Sequence, residues 1–68
     1  MTYKYEGSGR VNYLIKEFID NDLSEYIEQV SDQEINVTMP PANTNQYSSV
    51  IDIVNVYIGF ENLVPIKS

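Results

Sequence analysis

The segment that most constrains this chain runs from Arg10 to Asp32, RVNYLIKEFIDNDLSEYIEQVSD. Val11, Leu14, Ile15, Phe18 and Ile19 recur at i, i+3, i+4, i+7 and i+8, the spacing of a helix with one buried face. Leu23, Tyr26, Ile27 and Val30 repeat that spacing but point about 100° away from the first set, a slip of one residue. The slip falls at Asn21-Asp22. Asp22 followed by Glu25 reads as a capping box, in which side-chain oxygens satisfy the free N–H groups at a helix start. The expectation is one helix over about 10–20 and another over about 23–30, with a single helix kinked at Asn21-Asp22 as the alternative.

The carboxylates of this segment sort onto one side. On a helical wheel Glu17, Asp20, Glu25, Glu28 and Asp32 fall opposite the apolar set, and no base lies among them to form an i,i+4 pair. A charge run of this kind is by default a solvated outer face. The distribution of bases sharpens the reading. The chain carries ten acids and four bases, a net charge of −6, and the bases are Lys4, Arg10, Lys16 and Lys67. Only Glu6 of the acids precedes Glu17, so from Glu17 to Ile66 there are nine acids and no base. Such a field repels nucleic acid and anionic membrane and attracts basic surfaces. Direct DNA or RNA binding is therefore not expected.

At 68 residues the chain is read as a single domain, 1–68. A domain of this size buries only about 60% of its unfolded surface. With no Cys and no His it has neither a disulfide nor an ordinary zinc site, and no cofactor is indicated. Small unstapled domains idealise their packing or oligomerise, which makes a homodimer the expectation. No stretch approaches a membrane span, and the Met1-Thr2-Tyr3-Lys4 start lacks the apolar run of a signal peptide. A cytoplasmic location is expected. The 43% hydrophobic and 12% aromatic content separates the chain from a disordered acidic tail.

Elsewhere the pattern is that of strands. Tyr3 and Tyr5 alternate with Thr2, Lys4 and Glu6. Gly7-Ser8-Gly9 breaks this strand, and Ser8 or Gly9 is placed to cap the following helix. The same glycine pair lacks the spacing and Lys of a phosphate loop. Ser31 to Glu34 reads as a polar connection. Ile35, Val37 and Met39 alternate with Asn36 and Thr38 as a half-buried strand, stopped by Pro40-Pro41. Asn36-Val37-Thr38 matches a glycosylation triplet but reads as strand.

Ala42 to Gln46 reads as a loop. Tyr47 to Phe60, YSSVIDIVNVYIGF, fits two periods. Tyr47, Val50, Ile51, Val54, Tyr57 and Ile58 fit a helix. Val50, Val54, Val56, Ile58 and Phe60 fit one strand face, with Ile51, Ile53 and Tyr57 on the other. The density of β-branched residues favours the strand. A strand apolar on both faces needs cover on both, so Val54, Val56 and Ile58 become the expected dimer interface. Leu63, Val64 and Ile66 around Pro65 read as an extended tail docked on the body. Tyr3, Tyr5, Tyr26 and Tyr57 read as the rim of a small core.

Catalytic and metal chemistry finds little purchase. A nucleophilic triad needs a base such as His. A chain this short offers little room for a carboxylate-lined substrate cleft. Asp20-Asn21-Asp22-Leu23-Ser24 begins like a calcium loop, but Glu25 replaces the required glycine and Ser31 the bidentate Glu. The fold class expected is α+β: a single small domain in the order β-α-β-β, with one helix, kinked or broken, packed on a small antiparallel sheet.

Two functions compete. In the first, the carboxylates imitate nucleic-acid phosphates. Successive helical turns space charges by about 5 Å, the scale of phosphates at roughly 3.4 Å of axis per strand. In size, charge and lack of catalytic residues the chain resembles the small acidic inhibitor proteins made by bacteriophages, of the DNA-mimic type. The resemblance rests on whole-chain composition and the 17–32 charge pattern, not on a motif. It implies a viral protein acting in the host cytoplasm as an inhibitor of a basic nucleic-acid-binding protein, such as a bacterial nucleoid protein. Glu17, Asp20, Glu25, Glu28 and Asp32 would form the partner-binding face. In the second function the chain is a structural module that assembles through the 50–58 strand.

Overall fold

The first helix forms where the apolar period places it. The computed structural model describes residues 1–7 and 9–66, and in it α1 spans Val11–Asp20. Val11, Leu14 and Phe18 are fully buried along one stripe. Arg10 stands at the N-cap without a side-chain cap bond. Its guanidinium instead donates to the Tyr57 carbonyl at 2.6 Å. The expected Ser8 cap lies outside the described residues.

The break at Asn21-Asp22 is present, but its cause differs from a capping box. Asp22 adopts φ 63° and closes α1. Its N–H donates to the Ile19 carbonyl at 3.1 Å, and the Leu23 N–H donates to the Phe18 carbonyl at 2.7 Å. These are the two bonds of a Schellman motif, and buried Leu23 and Phe18 supply the apolar pair that accompanies it. The one-residue slip arises because Leu23 folds back onto the end of α1 and starts nothing. The chain then makes a 3₁₀ turn, Ser24–Tyr26, with no side-chain cap bond, and enters the strand β2, Ile27–Ser31. The expected helix over about 23–30 is therefore corrected: its i, i+3, i+4 spacing spans a turn and a strand.

β1 (Thr2–Glu6) and β3 (Glu34–Thr38) form where period-two alternation predicts them. They pair antiparallel, with Tyr3 opposite Val37 and Tyr5 opposite Ile35. β2 pairs with the other side of β3 through a two-residue turn, Asp32-Gln33, with a register shift between Gln29 and Ser31. Neither turn residue takes a positive φ. The turn is thus not of the primed type that matches strand twist, and the bulge takes up the difference.

The segment expected as a strand over 47–60 is the second helix, α2, Asn45–Tyr57. The Thr44 hydroxyl caps it by accepting from the Tyr47 N–H at 3.4 Å. Val50 and Val54 are fully buried and Ile58 nearly so, positions that both periods share, while Val56, which the strand face alone requires to be buried, is exposed. Helix propensity costs β-branched residues at most about 0.7 kcal/mol each. Full burial of a Val or Ile is worth roughly 1.5–3 kcal/mol, so packing decides. Asp52 and Asn55, which interrupt the strand pattern, lie on the exposed side of α2. Val54 and Ile58 are consequently core residues and cannot form a dimer interface; only Val56, 74% exposed, faces solvent.

A second 3₁₀ turn, Phe60–Asn62, leads to β4, Val64–Pro65, which pairs with β1. This is the extended tail docked on the body, anchored by buried Leu63. The sheet order is β2-β3-β1-β4, all antiparallel. The fold is α+β in the split βαβ arrangement, β-α-β-β-α-β. One core joins Val11, Leu14 and Phe18 of α1, Val50 and Val54 of α2, and Ile35 and Val37 of β3. Tyr3, Tyr5, Tyr26 and Tyr57 pack on its rim, and Tyr3 meets Phe60 edge-on at 5.2 Å. Both helices therefore cover the same face of the sheet and leave the other open.

Candidate functional site

The open face can be assigned residue by residue from the register. Tyr3, Tyr5, Ile35 and Val37 turn inward, so Thr2, Lys4 and Glu6 of β1 and Glu34, Asn36 and Thr38 of β3 turn outward. Glu28 stands opposite Asn36, and Val64 opposite Lys4. Glu6 and Glu34 are directly paired across the strands, a like-charge juxtaposition that is unfavourable by itself. Lys4 relieves it. Its ammonium lies 2.9 Å from Glu6 Oε1. The hydrogen bond to Glu6, with the charges of Glu6 and Glu34, raises the Lys4 pKa above its ordinary 10.5. Among the described residues Lys4 is the one base of these strands, and it is committed to its own neighbours. At the centre, Asn36 Nδ2 lies 3.5 Å from Glu28 Oε1, while Asn36 Oδ1 is buried without a partner.

The five predicted site residues do not share one helical face, because the helix on which that face was drawn ends at Asp20. Glu17 and Asp20 lie on α1, Glu25 in the 3₁₀ turn, Glu28 on β2 and Asp32 in the β2–β3 turn. Glu17 is half-buried and already engaged. Burial, and then a hydrogen bond to Glu17, push the Tyr57 phenol above its ordinary value of 10.0. Asn21 Nδ2 also reaches Glu17 Oε2 at 3.4 Å. Glu17 thus lies where α1 faces Tyr57 of α2. Asp20, Glu25, Glu28 and Asp32 are exposed. They succeed one another through the end of α1, the 3₁₀ turn and β2, elements that contact one another.

The structure adds Glu6 and Glu34 to the acidic surface. Their signal was present in the sequence: once Tyr3, Tyr5, Ile35 and Val37 are placed inward, strict alternation puts both carboxylates on the opposite face. Among the described residues no three potential metal ligands converge, and no helix is long and apolar enough to cross a membrane. The site is thus defined as an acidic sheet edge on a split βαβ domain, with an open polar face beside it. Compared with known proteins, the chain matches no family model, no curated protein and no solved structure.

Proposed function

We propose that this protein is a non-enzymatic, cytoplasmic acidic binding protein. It engages a basic nucleic-acid-binding protein through the β2 side of the sheet and occupies the surface that would otherwise hold phosphates, as a DNA mimic does. The observation that carries this reading is the exposure of Asp20, Glu25, Glu28 and Asp32 in a stretch that contains no base. The open face supports it from the other direction. Four-stranded sheets that bind single-stranded nucleic acid stack bases on exposed aromatics, whereas here Tyr3 and Tyr5 point into the core and the central strands present Lys4, Glu6, Glu34 and Asn36.

The test is a pull-down from bacterial lysate at low and high salt, with the wild-type chain and the Glu25→Lys/Glu28→Lys variant as baits. A dominant basic nucleic-acid-binding protein, released by salt and missed by the variant, is the expected result. A partner indifferent to both salt and charge reversal, or none at all, overturns the reading. A structural module that assembles with its own copies is the second reading. It draws on the unpaired β2 edge in place of the 50–58 segment, and it has the net charge of −6 on each copy against it.

A further inference from the structure

The free edge of β2 can be read from the ladder. The Met39 N–H donates to the Met1 carbonyl at 2.9 Å and the Gly7 N–H to the Gln33 carbonyl at 2.8 Å. Antiparallel pairs alternate between those that exchange hydrogen bonds and those that do not. Counting in twos along the β1–β3 register, Tyr3–Val37 and Tyr5–Ile35 are the pairs that exchange bonds. Asn36 between them turns its backbone groups the other way, onto Glu28 of β2. Ile27 and Gln29, on either side of Glu28, then point theirs away from the sheet. The Ile27 N–H is taken by the Ser24 carbonyl. Among the described residues, the Ile27 carbonyl and both backbone groups of Gln29 remain as an unfilled ladder.

Of the usual guards, Ile27–Ser31 lacks Pro and Lys, and its bulge begins only after Gln29. What it has instead is charge. Glu28 projects on the open face at the middle of the edge, with Glu25 before it and Asp32 after it. We propose that β2 accepts an extended basic segment of a partner protein as a fifth, β-augmenting strand. The side chain of that segment facing Glu28 is Lys or Arg. Those on either side, over Ile27 and Gln29 and toward the helices, are apolar. Charge favours this occupant over a second copy of the chain, which would bring two edges bearing Glu25, Glu28 and Asp32 together.

The inference rests on the acidic-binding reading above and specifies how the partner is held. It is tested by titrating the blocked peptide Lys-Val-Lys-Val-Lys-Val into the isotopically labelled full chain and following backbone amides. The expected result is that shifts concentrate on Ile27–Ser31 and that the Gln29 amide becomes protected from exchange. Gln29→Pro removes only an outward N–H and weakens binding about tenfold or more, the equivalent of about 1.4 kcal/mol. Glu28→Lys weakens it as well, and Gln29→Ala does not. Retained binding by a folded Gln29→Pro chain, with Glu28→Lys still defective, overturns the strand pairing and leaves the acidic reading standing. A Gln29 amide already protected without peptide, in a chain that sediments as a dimer, assigns the edge to a second copy and overturns the inference. An unchanged Gln29 exchange rate on saturation overturns it in the wild-type protein alone, whatever the variants do.

Discussion

The two edges of the sheet are finished in opposite ways. β4 is two residues long, and its Pro65 stands opposite Tyr3. Tyr3 gives its backbone bonds to β3, while Ile66 donates to Thr2 at 2.9 Å. Pro65 therefore faces outward at a position where an N–H would have been free, which closes the edge. β2 has five residues, three free backbone groups and flanking carboxylates. Each edge strand is fed by a helix that ends on a residue with positive φ, Asp22 (φ 63°) on the β2 side and Gly59 (φ 81°) on the β4 side. The difference separates an edge built for stability from an edge left open, and it predicts that substitutions on the two sides act on different observables.

The largest effect is expected at Leu63. Its burial anchors the β4 side, and Leu63→Ala should cost about 2–4 kcal/mol in urea unfolding, a large share of the roughly 3–10 kcal/mol available to a chain of this length. Glu28→Ala and Asp32→Ala on the exposed β2 side should each stay within about 0.5 kcal/mol. A Leu63→Ala cost under about 1 kcal/mol, or an equal cost at Glu28, would break the comparison.

The connections come next. Gly59 donates to the Val54 carbonyl at 2.8 Å and turns the chain from α2 toward β4. A Cβ there would sit 2.8 Å from the Glu61 carboxylate, a flexible group that can move, but the backbone strain would remain. Gly59→Ala should therefore cost about 1–2 kcal/mol. Asp22 also has a positive φ, with a side chain that tolerates it less well than Gly. Asp22→Gly should gain about 0.5–1 kcal/mol and leave the fold unchanged by circular dichroism. Opposite signs at the two positions are the required outcome; a loss at Asp22 would show that its carboxylate makes a stabilising contact the Schellman geometry does not account for.

This pairing also shows what the sequence could and could not convey. α1, β1 and β3 were legible because their core positions keep one period without interruption. The break after Asp20 was legible as a phase slip, but the same slip is produced by a capping box and by a Schellman turn, and only the backbone distinguishes them. β2 was hidden because Leu23, Tyr26, Ile27 and Val30 happen to fall at helical spacing, although only Leu23 is core. α2 was hidden because Val50 and Val54 satisfy both periods, and tertiary packing overrode β-branched propensity. Of the candidate site, the individual acids were legible. Their common face was not, since it depended on a helix that stops short of Glu25. The outward positions of Glu6 and Glu34 are set by strand alternation alone.

The smallest effects are those of pH, and they sharpen the comparison at its interior. Burial, then the charge of Glu25 and a hydrogen bond to it, raises the Tyr26 phenol above 10.0 beside β2. Tyr57, on α2, is raised by burial and by Glu17 of α1. Lys4 is raised above 10.5. In each case the folded state holds its proton more tightly than the unfolded chain. The stability these groups contribute is fully present below their unfolded values and is lost as pH rises through the folded ones. They give a flat profile from neutral pH to about 9 and a decline beyond about 10. Thermal midpoints for wild type, Tyr57→Phe and Tyr26→Phe across that range provide the check. Tyr57→Phe should flatten the alkaline decline most, because the carboxylate that raises Tyr57 belongs to another element, whereas the one that raises Tyr26 belongs to the adjacent residue. An alkaline decline unchanged in both variants would remove the phenols from the account and leave it to Lys4 and the Glu6–Glu34 pair.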